Sequence, residues 1–313
     1  IFESRPDALV QISALCLKSG NAVLLKGGRE ARLTNQILYE TIASATKEAG
    51  LPADWINLLE NRDEVAEMLK LDGYVNLIIP RGSNEFVRYI MDHTKIPVLG
   101  HAAGICHCYV DESADIKTAI EITADSKVQN VSVCNALETL LVHEKIAPDF
   151  LPPLKEVLDK KNVELRGCEK TRRIIECGPA SEEDWKTEYL DYILSVKVVG
   201  SLEEAIEHIN TYGSGHTDVI VSRDRANIKK FLDYVDSGNV FANCSTRFSD
   251  GFRYGFGAEV GISTGKIHAR GPVGLEGLVT YKYKLIGHGQ VVADYAEKRR
   301  SFTHLPIDKP FGI

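Results

Sequence analysis

The chain has 313 residues, of which 44% are apolar, enough for two hydrophobic cores at about 150 residues per domain. Thirty-seven Lys and Arg against 44 Asp and Glu leave a net charge of −7, so no global positive field is available to hold a nucleic-acid backbone. No apolar run reaches the roughly 18 residues of a membrane span, and the opening IFESRPDALV lacks a signal-peptide pattern. Neither nucleic acid nor membrane is an expected partner.

In chain order, Pro6 to Gly20 reads as a helix leading into an apolar strand, Ala22 to Leu25, that ends at Lys26-Gly27-Gly28. A second helix follows, with Leu33, Ile37, Leu38, Ile42 and Ala45 on the helical period and Gly50 and Pro52 as its stop signal. Strand-like Trp55 to Leu59, helical Asp63 to Lys70, strand-like Val75 to Ile79 and helical Asn84 to His93 continue a βα text, which predicts a parallel sheet with helices on both faces. A Gly/Ala/His stretch, Gly100 to Gly104, interrupts the pattern and marks a domain boundary. Beyond it come strand Ile105 to Val110, helix Ile116 to Lys127, strand Leu137 to Val142, helix Leu151 to Lys160 and strand Ile193 to Val199. Helix Leu202 to Asn210, strand Thr217 to Val221, helix Ala226 to Val235 and strand Asn239 to Asn243 complete a second α/β layer system. Periodicity fails from Ser245 to Gly277, where turn residues sit among Arg247, Arg253, Lys266, His268 and Arg270. Long irregular loops of this kind usually carry function. Ser301 to Ile313 reads as a loose tail.

Seven cysteines, at 16, 106, 108, 134, 168, 177 and 244, are an odd number with no CxxC pair among them, so free thiols in a reducing compartment are expected. Strand alternation places Cys106 and Cys108 on one face and His107 on the other, which favours buried structural thiols over a metal site. Lys26 with two glycines, at the carboxyl end of a strand and before a helix, puts a cation and bare backbone N–H groups where an anion would sit; an exposed turn with a solvated lysine is the alternative. The GxGxxG fingerprint is missing, and Gly255 to Gly261 has another spacing and no strand before it. Ser83, after Pro80-Arg81-Gly82, is placed to cap a second helix on the same edge of the sheet. Cys134 lies in a turn between helix and strand, where a thiol can be partly exposed among backbone N–H groups; a packed core cysteine is the competing reading.

Several blocks then become recognisable. They are Ile1 to Pro6, Ser19 to Gly28, Ile78 to Ser83, Gly104 to His107, Val133 to Leu141, Ser245 to Gly251, Ala258 to Thr264 and His268 to Gly277. Carrying them in order, the chain resembles the γ-glutamyl phosphate reductases (glutamate-5-semialdehyde dehydrogenases), a branch of the aldehyde dehydrogenase superfamily, from residue 1 to about 285. The resemblance implies an aldehyde dehydrogenase-like α/β fold of two domains: a Rossmann-like NADP-binding domain at 1–103, N-terminally incomplete, and a catalytic domain at 104–285. A C-terminal segment and tail, 286–313, follow. It implies NADPH-dependent reduction of L-glutamate 5-phosphate to the 5-semialdehyde with release of phosphate, in proline biosynthesis. Cys134 matches the nucleophile; a thiolate displaces phosphate to form a thioester, and hydride from the nicotinamide then yields a thiohemiacetal that collapses to the aldehyde.

By the same resemblance the Cys134 backbone N–H is one oxyanion donor and Ser4, which stands where hydrolytic relatives carry an asparagine, is a second. Lys26, with Arg29 as helper, meets the adenosine ribose and its 2′-phosphate; Gly82 and Ser83 lie near the pyrophosphate; Glu188 holds the nicotinamide ribose hydroxyls. Arg247, Arg270 and His268 are candidates for the substrate's carboxylate and phosphate, with structural ion pairing as the competing role. No metal is expected. Hydrolytic relatives carry a glutamate base in the block matching Gly100 to Gly104, where this sequence has no carboxylate, and the lack of a water-activating carboxylate favours acyl-phosphate chemistry over hydrolysis. The rivals are a hydrolytic or CoA-dependent aldehyde dehydrogenase and a catalytically silent nucleotide-binding protein of the same fold. The family's helical N-terminal part is absent before Ile1, which leaves open a fragment, a homo-oligomer lacking some contacts, or the reductase half of a fusion with glutamate 5-kinase. The expected location is the cytoplasm, or the mitochondrion for a bifunctional eukaryotic form.

Overall fold

A computed structural model of the chain describes residues 1–3, 5–101 and 103–306. Pro6 occupies the first turn of helix α1 (Pro6–Ser19), where a missing N–H leaves no intrahelical bond unmade, and Gly20 closes the helix. Strand β1 (Val23–Leu25) pairs in parallel with β2 (Ile56–Leu58), the crossover being α2 (Arg32–Glu48). Leu38 and Ile42 of α2 pack on Phe2, Leu9, Leu25, Trp55 and Ile56, but Leu33 and Ile37, read as part of the same apolar face, are exposed. Helix α3 (Arg62–Met68) is started by a capping box between Asn61 and Glu64, and α4 (Asn84–Asp92) by the Ser83 hydroxyl, which accepts from the Phe86 N–H. The Val75 to Ile79 run is not a strand; an isolated parallel bridge from Ile78 to Val98 is all that forms there.

The main sheet comes from the next part of the chain. It is built by β3 (Cys106–Val110), α5 (Ile116–Val128), β4 (Leu137–His143), α6 (Ala147–Asp159), β5 (Glu164–Gly167), α7 (Glu169–Arg172), β6 (Gly178–Pro179) and β7 (Ile193–Val199). α8 (Leu202–Tyr212), β8 (Thr217–Val221), α9 (Arg225–Tyr234) and β9 (Asn239–Ala242) finish it. The seven strands are all parallel, in the order β6-β5-β7-β4-β3-β8-β9. β4 and β8 are buried at every position, as expected of strands covered by helices on both faces. Helix α6 starts one turn earlier than periodicity placed it and runs through Pro152 and Pro153, because Phe150, Leu151, Leu154 and Leu158 all reach the core on one face. Short, polar β5 and β6 had no apolar signal of their own. The 245–277 loop, expected to be irregular, contains α10 (Gly251–Tyr254) and an antiparallel pair, β10 (Gly261–Ser263) with β11 (Gly271–Val273).

Leu15 and Leu99 share a core with Val260 and Val273, which ties that loop to the N-terminal elements. Ile1–Val279 forms one packed unit; residues from Thr280 on form another, with α11 (Val292–Ala296) as its helix. Residues 301–306 have no regular structure, and the rest of the expected tail lies outside the described residues. No described helix is long and apolar enough to cross a membrane.

An ion pair with no exposed side-chain surface lies inside the main sheet's helical layer: Lys127 Nζ of α5 donates to Glu138 Oε2 of β4 at 2.7 Å. Burial pushes the carboxyl of Glu138 up to about 7 while Lys127 pulls the other way, and burial likewise lowers Lys127. Removing one partner strands the other charge. Glu138→Leu is therefore expected to lower unfolding free energy by about 3–5 kcal/mol in urea titrations, and Lys127→Met combined with Glu138→Leu to recover most of that loss.

Candidate active site

Four loops that enter adjacent strands converge at the amino edge of the main sheet. Glu188 precedes β7, Cys134 precedes β4, Gly104 precedes β3 and His216 precedes β8, and β7-β4-β3-β8 are neighbours in that order. Cys134 is half-buried in a turn whose neighbours are fixed from both sides. The Asn135 side-chain amide donates to the Ser249 carbonyl (2.8 Å), and the Thr246 hydroxyl donates to the Asn135 carbonyl (2.7 Å). The Cys106 thiol, buried in β3, donates to the Cys134 carbonyl at 3.3 Å. Gly104 packs so closely on this turn that a Cβ there would collide with the Cys134 carbonyl and lie 2.6 Å from its Cα.

The surroundings of the thiol set its reactivity. Burial pushes the Cys134 pKa up to about 11; the Arg81 guanidinium opposes this, and the charges of Glu188 and Glu259 add to it. At rest the group is a neutral thiol needing a proton acceptor. His101 and His216 supply candidates, since one ligating atom from each of His101, Cys134 and His216 lies within 4.8 Å of the others. His101 Nδ1 lies 2.9 Å from the Ile262 carbonyl, which can only accept, so Nδ1 carries the hydrogen and Nε2 keeps its lone pair. Burial lowers the pKa of His101, and that of His216 further, so both rings are neutral at pH 7.

The positions read from sequence divide into groups. Asn84, the first residue of α4, donates to Glu188 Oε2 at 3.0 Å, which brings the Gly82-Ser83 turn and Glu188 together. Arg247 is buried beside Cys134's turn, its Nε donating to Gln129 Oε1 at 2.9 Å; burial lowers its pKa and the charge of Cys134 opposes that. Lys26 lies at the end of β1 with Nζ on the Gly27 carbonyl (2.6 Å), and exposed Arg29 begins a single 3₁₀ turn just ahead of α2. Arg270, by contrast, gives its guanidinium to Asp236 (2.8 Å) and to the Thr264 carbonyl (3.2 Å), so ion pairing rather than an open anion site describes it. His268 is exposed with Nε2 on the Gly277 carbonyl (2.8 Å). Ser4 lies outside the described residues.

Sequence reading missed Arg81, His101 and His216. It weighed only carboxylates in the Gly100 to Gly104 block, whereas the structure puts an imidazole from that block beside the thiol. Nothing in the spacing of His216 points to Cys134, since the two meet only because β8 and β4 flank β3.

Residues 8–193 and 171–259 match the aldehyde dehydrogenase family. A protein of Acetivibrio thermocellus named gamma-glutamyl phosphate reductase is 70% identical over 313 residues, which is 100% of this chain and 73% of that one. The crystal structure of gamma-glutamyl phosphate reductase from Thermotoga maritima is similar at a TM-score of 0.90 and 47% identity, over 93% of this chain and 71% of that chain. A glyceraldehyde-3-phosphate dehydrogenase from Methanocaldococcus jannaschii, complexed with NADP, shares the fold at 19% identity and a TM-score of 0.59, over 78% of this chain and 64% of that one. This chain belongs to the γ-glutamyl phosphate reductase branch of the aldehyde dehydrogenase family, and its class is that of an oxidoreductase acting on an aldehyde. The resemblance read from the sequence blocks is borne out.

Two outcomes follow for Cys134. With its thiol pKa raised to about 11, the thiolate fraction climbs about tenfold per pH unit from pH 7 to 10, so iodoacetamide labelling of the Cys134 peptide, followed by mass spectrometry, is expected to accelerate in step, with no plateau below pH 9. Gly104→Ala is expected to cost about 1–3 kcal/mol in thermal or urea unfolding and to lower turnover at least tenfold, because the turn beneath the thiol must move.

Proposed function

We propose that this chain reduces L-glutamate 5-phosphate to L-glutamate 5-semialdehyde with NADPH, releasing phosphate, through a thioester on Cys134. The observation that carries the reading is the setting of Cys134: a half-buried thiol beside the His101 and His216 rings, with Arg81 and Arg247 in electrostatic reach, in a chain 70% identical to a protein named for γ-glutamyl phosphate reduction.

The residues at the ends of β1 and β2 fit a nucleotide. A side chain on Gly27 would collide with buried Asn35, so the backbone stays bare there, and a cleft beside it is lined by Gly28, Arg29, Arg32, Gln36 and Leu58. Lys26 and Arg29 would meet the adenosine ribose and its 2′-phosphate, Gly82 and Ser83 the pyrophosphate, and Glu188 the nicotinamide ribose. NADPH, when bound, supplies the hydride.

The protein's own part begins with the thiol proton, which passes to His101 Nε2 as the sulfur attacks the acyl carbon. The Cys134 N–H faces the oxyanion, with Ser4 as the second donor. Arg81 and Arg247 oppose the charges of the phosphate and the carboxylate, and the departing phosphate leaves the acyl group on sulfur. After reduction, the tetrahedral oxyanion on Cys134 collapses to the aldehyde and the thiolate, and the His101 imidazolium returns its proton to the sulfur. A neutral imidazole could also deprotonate water, so the contrast between phosphate release and hydrolysis is decided by assay rather than by the missing carboxylate.

The reverse reaction tests this directly. Glutamate semialdehyde with NADP is expected to yield NADPH, read at its absorbance, only when phosphate is added, and Cys134→Ala is expected to lose about three orders of magnitude or more while still binding NADP. Oxidation that proceeds without phosphate, or full turnover by the alanine variant, would overturn the proposal.

A further inference from the structure

The nucleophile and the two imidazoles beside it are also ligands that a borderline cation prefers. Sulfur and two imidazoles form a Cys/His₂ donor set, the chemistry of zinc rather than of magnesium or calcium. Both histidines are arranged as metal-binding histidines are. In each, Nδ1 is held by an oxygen behind the ring: the Ile262 carbonyl for His101 (2.9 Å) and the Thr217 hydroxyl for His216 (2.8 Å). The carbonyl can only accept, so His101 carries its hydrogen on Nδ1 and keeps Nε2 as the ligand, while the hydroxyl orients the His216 ring, whose Nε2 is the atom left without a partner. The Thr217 hydroxyl is itself held, accepting from the Asn239 amide at 3.3 Å.

The second observation is the isolation of His216. Its side chain has no exposed surface, and its Nε2 has no hydrogen-bond partner, an exception that buried polar atoms in native proteins rarely show. The two rings meet edge to face with centroids 4.8 Å apart. Ligand atoms within 4.8 Å of one another need to close by only about 1 Å to reach the roughly 3.3–3.8 Å separations implied by zinc bonds of about 2.0–2.3 Å. Rotation about the side-chain bonds of half-buried Cys134 and His101 can provide that.

We propose that Cys134, His101 and His216 form a binding site for a zinc-class divalent cation, and that the bound ion reversibly withdraws the nucleophile. Binding releases the thiol proton to solvent and places a sulfur–metal bond where the acyl bond would form; chelation of the ion and reprotonation of the sulfur reverse it. Metal capture depends on geometry alone, whereas inhibition rests on Cys134 being the nucleophile as proposed above.

Cobalt(II) is the probe, added to the full chain under reducing conditions. The expected result is one equivalent bound with a sulfur-to-cobalt charge-transfer band and tetrahedral visible bands, both abolished by Cys134→Ser. His216→Gln and His101→Gln are each expected to weaken binding at least tenfold, and Thr217→Val to weaken it about tenfold or more by freeing the His216 ring. Cys106→Ser should leave the band intact. Zinc should displace the cobalt and stop turnover, and a chelator should restore it. Absence of the band in folded wild-type protein, its survival in Cys134→Ser, or its loss in Cys106→Ser alone would overturn the site. The cobalt band needs no substrate: a chain that binds cobalt at Cys134 yet fails the phosphate-dependent assay keeps the metal site and loses the reaction.

Discussion

A lysine and a glutamate that share no surface with water decide where the Cys134 turn stands. Lys127 lies in the last turn of α5 and Glu138 is the second residue of β4, so their 2.7 Å contact closes the loop that carries Cys134 from both sides. The other carboxylate oxygen of Glu138 accepts from the Leu190 N–H (3.2 Å), and Leu190 is held in the left-handed region at φ 52°. One buried pair thus anchors the turn of Cys134 and the segment that presents Glu188. A salt bridge so fully desolvated is a weak source of net stability compared with apolar packing, but it is unforgiving of misplacement, since either charge alone would be stranded in a low-dielectric layer. It acts as a register pin more than as glue.

Where the chemistry sits follows from that pin and from strand order. Open parallel sheets usually collect ligands beyond the carboxyl ends of their strands. Here the carboxyl ends of β3 and β8 are closed by Asp111, which accepts from Ser113 (2.6 Å), Ser222 (2.9 Å) and Asn227 (3.1 Å). The loops of the amino edge instead carry the thiol, the close-packed glycine and the two imidazoles. The β1-β2 pair obeys the usual rule, with Lys26 and the bare glycine turn at its carboxyl ends. The Cys134 cluster and the Lys26-glycine turn therefore lie at opposite edges of two separate parallel sheets.

The legible parts of the fold were those with strong local physics. β8 and β9 were placed within a residue because Thr217 to Val221 and Asn239 to Ala242 are apolar or β-branched runs bounded by turns, and the Ser83 cap was readable because the signal lies within four residues. The misses were all non-local. β5 and β6 exist because β7 offers an edge to pair with, not because ELRG or GP favours a strand. Leu33 and Ile37 keep the helical period of α2 yet face water, because periodicity gives a face and not the neighbour that covers it.

By itself, the sequence determined the class of protein: ordered blocks around Cys134 are long enough to single out one branch of one family, whereas the turn VQNVSVCNALE alone left a packed core cysteine as the competing reading of that thiol. It also determined the free-thiol state, the lack of a dinucleotide glycine fingerprint and the alternation of strands and helices. Only the tertiary structure decided which side chains share space with that sulfur. His101, His216, Arg81 and Arg247 come from loops up to 166 positions apart in the numbering, and their meeting is set by strand order and by burial of the ion pair beneath them. Strand order arises from packing of whole faces against each other, a sum over many weak contacts that no local pattern encodes.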